Sequence, residues 1–240
     1  MKTALIIGGT GGIGEAISML FLENDIKTYA TYYTNQEKAK EMAQLQANLN
    51  ILQCDVKKIE SVRKTIETIY QKEERIDILV NCITGNLKLK LFESLTLEEL
   101  SDDINTILLG SINLFKHVIP VMKNQKTGVI VNILTTAIFD FPKRMSSYIA
   151  AKAGLFGLMK SLAMELEPFN VRLAGISPYF VNTCLIKAFP EKLLELEKEK
   201  IIQPRDIAEL VLAISQDIKK YPNGVNLILN TRKEALEMLS

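Results

Sequence analysis

The chain of 240 residues contains no tryptophan, one histidine and three cysteines. With His117 as its sole imidazole, a histidine-based metal site is nearly excluded. That residue sits in an apolar helical pattern (114–121) suited to helix packing. Cys54, Cys82 and Cys184 are odd in number, widely spaced and form no CxxC pair, which argues against a disulfide framework or a structural zinc. No metal is expected. Neither sign of charge dominates: 29 Lys+Arg against 28 Asp+Glu leave a formal charge of +1, so no general basic field exists for nucleic acid or an anionic membrane. No run approaches the ~20 apolar residues that span a bilayer. The apolar start Thr3–Ile7 also lacks the charged region, long apolar core and cleavage site of a secretory signal. The expectation is a cytoplasmic protein with neither nucleic acid nor membrane as partner.

Linkers of low complexity, long repeats and composition breaks are missing too, which points to a single domain over 1–240. Short apolar runs near 3–8, 26–33, 49–54, 76–81, 127–135, 170–177 and 225–230 read as strands. Helical patterns fall between them near 12–23, 35–47, 57–73, 96–122, 146–168 and 204–218. Strands separated by helices of this length imply right-handed crossovers. The expected fold is α/β: one doubly wound, Rossmann-type domain with a parallel sheet of about seven strands and helices on both faces. The stretch near 179–203 follows a strand's carboxyl end, where ligands bind in such sheets, and reads as a lid with a charged helical part, 190–200. A short tail, 231–240, closes the chain.

Between the first strand and first helix runs Gly8-Gly9-Thr10-Gly11-Gly12-Ile13-Gly14. Glycines there permit a tight turn and a close backbone approach to a pyrophosphate, and the free N–H groups of the helix start face its charge. Two spacings fit, Gly9-x-Gly11-x-x-Gly14 and Gly8-x-x-x-Gly12-x-Gly14, and both predict a dinucleotide. The end of the second strand, Tyr33-Thr34-Asn35, has no acid for a ribose 2′-hydroxyl, which permits a 2′-phosphate. No arginine is supplied to hold that phosphate; Thr34, Asn35 and Lys38 are the candidates. The balance favours NADP(H) over NAD(H).

Tyr148 and Lys152 are four apart on a predicted helix and share a face. A cation near the phenol would lower its pKa and fit it to give a proton to a carbonyl oxygen as hydride reaches carbon. The buried strand before them ends in Thr135 and Thr136, hydroxyls at the carboxyl edge of the sheet.

In the glycine loop, Asp55-Val56, Asp77–Asn81 and Tyr148–Lys152, the chain resembles the short-chain dehydrogenases/reductases, 3-oxoacyl-carrier-protein reductases among them, over essentially its whole length. The resemblance implies a ketone or 3-oxoacyl thioester reductase (or the reverse alcohol oxidation). Tyr148 would be its acid-base, Thr135 the substrate-orienting hydroxyl, and Lys152 the ribose ligand that lowers the phenol pKa. It further implies Asp55 and Val56 near the adenine, and Asn81, Pro178 and Thr183 around the nicotinamide. Pairing of the two long helices across a two-fold axis implies a homodimer or homotetramer. Lys143 and Arg144, by the expected mouth, would suit a carboxylate, a phosphate or an acidic carrier protein, or else form a solvated loop pair.

Several positions depart from that pattern. Asn81-Cys82-Ile83-Thr84 replaces Asn-Asn-Ala-Gly, Tyr179 replaces the glycine after Pro178, and Ile107 stands where the family's catalytic asparagine belongs. Ile107 implies a different proton relay, slow turnover or a lost redox function. The alternative to the reductase is thus a degenerate member: a non-redox enzyme, or a non-catalytic dinucleotide-binding partner subunit.

Overall fold

The computed structural model describes residues 1–217 and 219–239. Its strands are β1 (Thr3–Ile7), β2 (Lys27–Tyr32), β3 (Asn50–Gln53), β4 (Ile78–Asn81), β5 (Gly128–Ile133), β6 (Val171–Pro178) and β7 (Asn226–Leu229). They form one all-parallel sheet in the order β3-β2-β1-β4-β5-β6-β7, as expected. The order reverses between β1 and β4, which opens a crevice at their carboxyl ends.

Helices α1 (Gly12–Glu23), α2 (Gln36–Leu45), α3 (Ile59–Glu73), α4 (Leu97–Asp103), α5 (Gly110–Gln125), α6 (Ala137–Asp140), α7 (Ser146–Leu166), α8 (Glu191–Leu196), α9 (Pro204–Gln216) and α10 (Arg232–Leu239) connect and follow the strands. The end of the helix expected at 218, and residue 240 of the tail, lie outside the described residues. Alternate side chains of each strand feed opposite cores. Leu5, Ile7, Leu79 and Ile130 join the apolar stripes of α3, α5 and α7. Ala4, Ile6, Ile78, Val80 and Val131 join those of α1, α9 and α10. Strands covered on both faces have no polar side, which is why they read as continuous apolar runs.

The helix expected over 96–122 is interrupted. Between α4 and α5, residues Ile104–Leu109 wind as a π-helix. Gly110, just beyond, lies against Val56, where a Cβ would fall 2.8 Å from Val56 Cγ2. The run Leu97–Gln125 is also long and apolar enough, by length and composition alone, to cross a bilayer, contrary to the reading of apolar runs. Here Leu114, Phe115, Val118 and Met122 bury its stripe on the sheet instead. Three elements escaped sequence reading, α6 and the 3-10 turns at Phe92–Ser94 and Cys184–Ala188. The charged part of the lid resolves into α8 and a 3-10 turn, Lys198–Lys200. Val181 bridges Ile202 at the lid's base, so its two ends meet.

Candidate active site

The carboxyl ends of β1, β4, β5 and β6, with the lid above them, enclose a cavity of about 590 Å³. The glycine loop forms one end. Gly8 has φ +73°, a conformation that disfavours any Cβ, and its carbonyl accepts the N–H of Gly11 at 3.0 Å. A Cβ on Gly14 would lie 2.2 Å from that same carbonyl oxygen, and one on Gly12 would lie 2.7 Å from Thr183 Cγ2. The loop is therefore folded tightly enough to exclude side chains, and it offers bare backbone at the start of α1. That cradle fits a pyrophosphate.

Thr135, Tyr148 and Lys152 meet at the other end. Tyr148 and Lys152 project from the first two turns of α7, and Thr135 follows β5. The hydroxyls of Thr135 and Thr84 stabilise the phenolate form of Tyr148 and hold its pKa down. Lys152 is 2 % exposed, and its Nζ donates to the carbonyls of Ile133 at 2.6 Å and Ile83 at 2.9 Å, tying together the ends of β5 and β4.

The electrostatics of the free protein are dominated by burial. Burial pushes the phenol up to about 12, the two threonine hydroxyls pull it back in part, and Asp103 raises it further. Burial likewise lowers the Lys152 ammonium to about 8. Nζ sits 6.0 Å from the Tyr148 ring centroid, and two of its three donors go to carbonyls.

The cavity also gathers Gly8, Gly11, Gly12, Ile13, Gly14, Pro178 and Thr183. Other expected cofactor residues stand elsewhere. Thr10 is half-buried in the loop but off the cavity wall. Tyr33, Thr34 and Asn35 lie exposed beyond β2, and Asn35 caps α2 through the N–H of Lys38. Asp55 receives the Lys57 N–H at 3.1 Å, and its neighbour Val56 packs on Gly110. Tyr33, Thr34, Asn35, Asp55 and Val56 flank the sheet end outside the cavity. The Asn81 side chain is not available as a ligand: it is 1 % exposed, and its amide donates to Ser111 Oγ at 2.9 Å and Asn132 Oδ1 at 3.0 Å. It braces β4 against β5 and α5. His117 places Nδ1 2.8 Å from the Asn113 carbonyl one turn back on its own helix.

Sequence reading missed Thr84, the carbonyls of Ile83 and Ile133, and Asp103. Thr84 had a signal, since the broken fourth-strand motif puts a hydroxyl there. The carbonyls had none, because any residue supplies one. Ile107 is fully buried beneath the site, whereas Asn105 is exposed on another face and cannot replace an inward amide.

Comparison with known proteins places this geometry. The family profile described as short chain dehydrogenase matches residues 2–193. The 3-oxoacyl-[acyl-carrier-protein] reductase of Aquifex aeolicus is 31% identical, covering 95% of this chain and 96% of its own. The acetoacetyl-CoA reductase of Shinella zoogloeoides is 29% identical, covering 95% and 97%. Among solved structures, the 3-ketoacyl-(acyl-carrier-protein) reductase of Brucella melitensis, complexed with NADH, superposes with a TM-score of 0.89. It shares 24% identity and covers 98% of both chains.

Proposed function

Because the chain belongs to the short chain dehydrogenase family, and is thereby an NAD(P)-dependent oxidoreductase, we propose that it reduces 3-oxoacyl thioesters at this cavity, with NADPH preferred to NADH. The observation that carries this reading is the meeting of Tyr148, Thr135 and Lys152 at the floor of a cavity continuous with the glycine cradle. Leu87, Met145, Phe180, Leu185 and Phe189 wall the remainder, an apolar slot for an acyl chain. The two relatives that act on carrier-bound or CoA-bound oxoacyl groups support the thioester.

The bound dinucleotide supplies the hydride that reduces the carbonyl carbon. The chain's own residues do the rest. The glycine loop holds the pyrophosphate, and Lys152 takes the nicotinamide ribose. Thr135 donates a hydrogen bond to the substrate carbonyl oxygen. The Tyr148 O–H breaks as its proton passes to that oxygen, which becomes the product hydroxyl. The absence of an acid after β2 supports NADPH, with Thr34 and Asn35 as the 2′-phosphate contacts. Lys38 is less free for that role, since it pairs with Glu15 at 2.9 Å and Glu41 at 3.6 Å.

The same reading takes 1–240 as one domain whose lid (179–203) closes over the acyl slot. Asp55, Val56 and Thr10 serve the adenosine half of the cofactor, and Pro178 and Thr183 its nicotinamide. Lys143 and Arg144 line a shallow hollow with Phe92 and Phe141 beside the mouth, which suits an acidic carrier. Exposed Leu97, Leu109 and Met164 on the α4–α5 run and α7 support a homodimer or homotetramer. Three unbridged cysteines suit the cytoplasm.

The test is oxidation of NADPH and of NADH with acetoacetyl-CoA and longer 3-oxoacyl thioesters, for wild type and Tyr148→Phe in parallel. Expected is turnover with NADPH that falls about 10²–10⁴-fold in the variant. Cofactor binding without turnover of any carbonyl compound would instead favour the non-catalytic partner, a reading that buried Ile107 keeps alive.

A further inference from the structure

An ion pair joins the two ends of the proposed adenosine site, and the reduction as derived does not use it. Glu15 stands on the first turn of α1, where its N–H donates to the Gly11 carbonyl at 2.7 Å. Its Oε1 lies 2.9 Å from Lys38 Nζ, and Lys38 stands on the first turn of α2. The Lys38 N–H in turn donates to Asn35 Oδ1 at 3.0 Å. The pair thus links the glycine loop to the segment carrying Thr34 and Asn35, the proposed 2′-phosphate contacts.

The glycine loop and β2 are also in direct contact. The Gly8 N–H donates to Thr31 Oγ at 3.1 Å, and a Cβ on Gly9 would fall 2.6 Å from Ala30 Cβ. The Lys38 and Glu15 side chains are only 29 % and 35 % exposed, so the pair is partly shielded from water. Glu41 adds a second carboxylate 3.6 Å from Nζ. The cations that follow β3, the strand beside β2, are engaged as well: Lys57 lies 3.2 Å from Asp102, and Lys58 3.8 Å from Asp55. Lys40 is exposed, and at two residues from Lys38 it projects from another face of α2. The sheet end that lacks an acid for a ribose hydroxyl therefore meets a cation that is already paired. A phosphate and a carboxylate compete for the same ammonium donors.

We propose that Glu15 is a specificity-determining residue for the dinucleotide: by holding Lys38 it withholds that cation from a ribose 2′-phosphate and narrows the margin by which NADPH is preferred to NADH. The inference rests on the reading of this crevice as the dinucleotide site. A 2′-phosphate gains the Lys38 ammonium only by displacing the Glu15 carboxylate. A 2′-hydroxyl is accommodated with the pair intact. Only NADPH therefore meets the competition.

The test is titration of NADPH and NADH into the protein without any carbonyl substrate, read by nicotinamide fluorescence as the ratio of the two Kd values. Adenosine 2′,5′-bisphosphate and 5′-AMP probe the adenosine half alone by calorimetry. Glu15→Gln keeps the size of the side chain while releasing Lys38. The ratio should move about tenfold toward NADPH, and the bisphosphate should gain on AMP by a similar factor. Lys38→Met should change the ratio by about twofold or less in wild type, where the ammonium is withheld, and by about tenfold in the E15Q background. An unmoved ratio in E15Q overturns the proposal. So does a gain that survives in the E15Q/K38M double variant, because the carboxylate then acts by its charge alone and not through Lys38. A tenfold loss in K38M alone also overturns it, since Lys38 would already be serving the phosphate. If E15Q does not fold, E15A removes the same carboxylate and is read in the same way. A wild-type protein that binds neither dinucleotide refutes the dinucleotide reading and the inference with it, whereas binding of both with an unmoved ratio refutes the inference alone.

Discussion

Gly14→Ala should destabilise the protein and loosen the dinucleotide cradle, although it adds a good helix former to a helix. The new Cβ would fall 2.2 Å from the Gly8 carbonyl oxygen and 2.8 Å from Gly9 Cα. Ordinary contact begins near 3.4 Å, so the loop and the start of α1 must separate by about 1 Å. Both obstacles are backbone, and no side chain can rotate away. Overpacking of this kind costs about 1–3 kcal/mol, and here the upper end applies. Helix propensity returns about 1 kcal/mol, leaving a net loss of about 2. For a chain of this size that lowers Tm by about 4–8 °C. The dinucleotide Kd should also rise about tenfold for each 1.4 kcal/mol of distortion the bound loop must undo. Gly157→Ala, within α7, is the control, because nothing lies within 4 Å of its Cβ position. Propensity alone should raise Tm there by about 2–4 °C. Thermal unfolding and dinucleotide titration of both variants check the contrast. A G14A protein that melts no lower than wild type, with unchanged Kd, refutes the tight-cradle reasoning.

Lys152→Met should flatten the rise of stability with pH. Burial lowers the Lys152 ammonium to about 8 from 10.5, so between those values the unfolded chain carries a proton that the native chain has released. Stability therefore increases with pH across that window, by roughly 3 kcal/mol for full burial. Tyr148, raised to about 12, acts oppositely only above pH 10. Urea titrations between pH 7 and 10 should diverge for the two proteins, and parallel curves would sink the account. Asp206→Ala should cost about 1–2 kcal/mol, since Asp206 accepts the Gln203 N–H at 3.0 Å and Arg232 Nε at 2.9 Å. Faster amide exchange should appear in α10, and unchanged protection there would show that Arg232 does not anchor the tail.

Much of the fold was legible because the central strands β1, β4, β5 and β6 are buried on both faces and the helices packed on them show apolar stripes. The glycine loop was legible for a related reason: backbone approach needs glycine at fixed spacing, and sequence records glycine directly. The π-helix was not, because Ile104–Leu109 is apolar and helical in pattern, and one extra residue per turn leaves no compositional mark. Nor does sequence say which of the adjacent acids Asp102 and Asp103 turns inward: Asp103 is buried and Asp102 half-exposed. Sequence spacing puts Lys152 on the right face but does not say that two strand-end carbonyls capture its donors.

The Thr183 methyl occupies the space that a Cβ on Gly12 would need. The root of the lid is thereby seated on the phosphate cradle, while α8 lies further along the chain. On the proposed reading of 179–203 as a lid, that end would be its hinge: exchange of substrate would need only the outer segment to lift, whereas exchange of dinucleotide would need the Thr183–Gly12 contact to break.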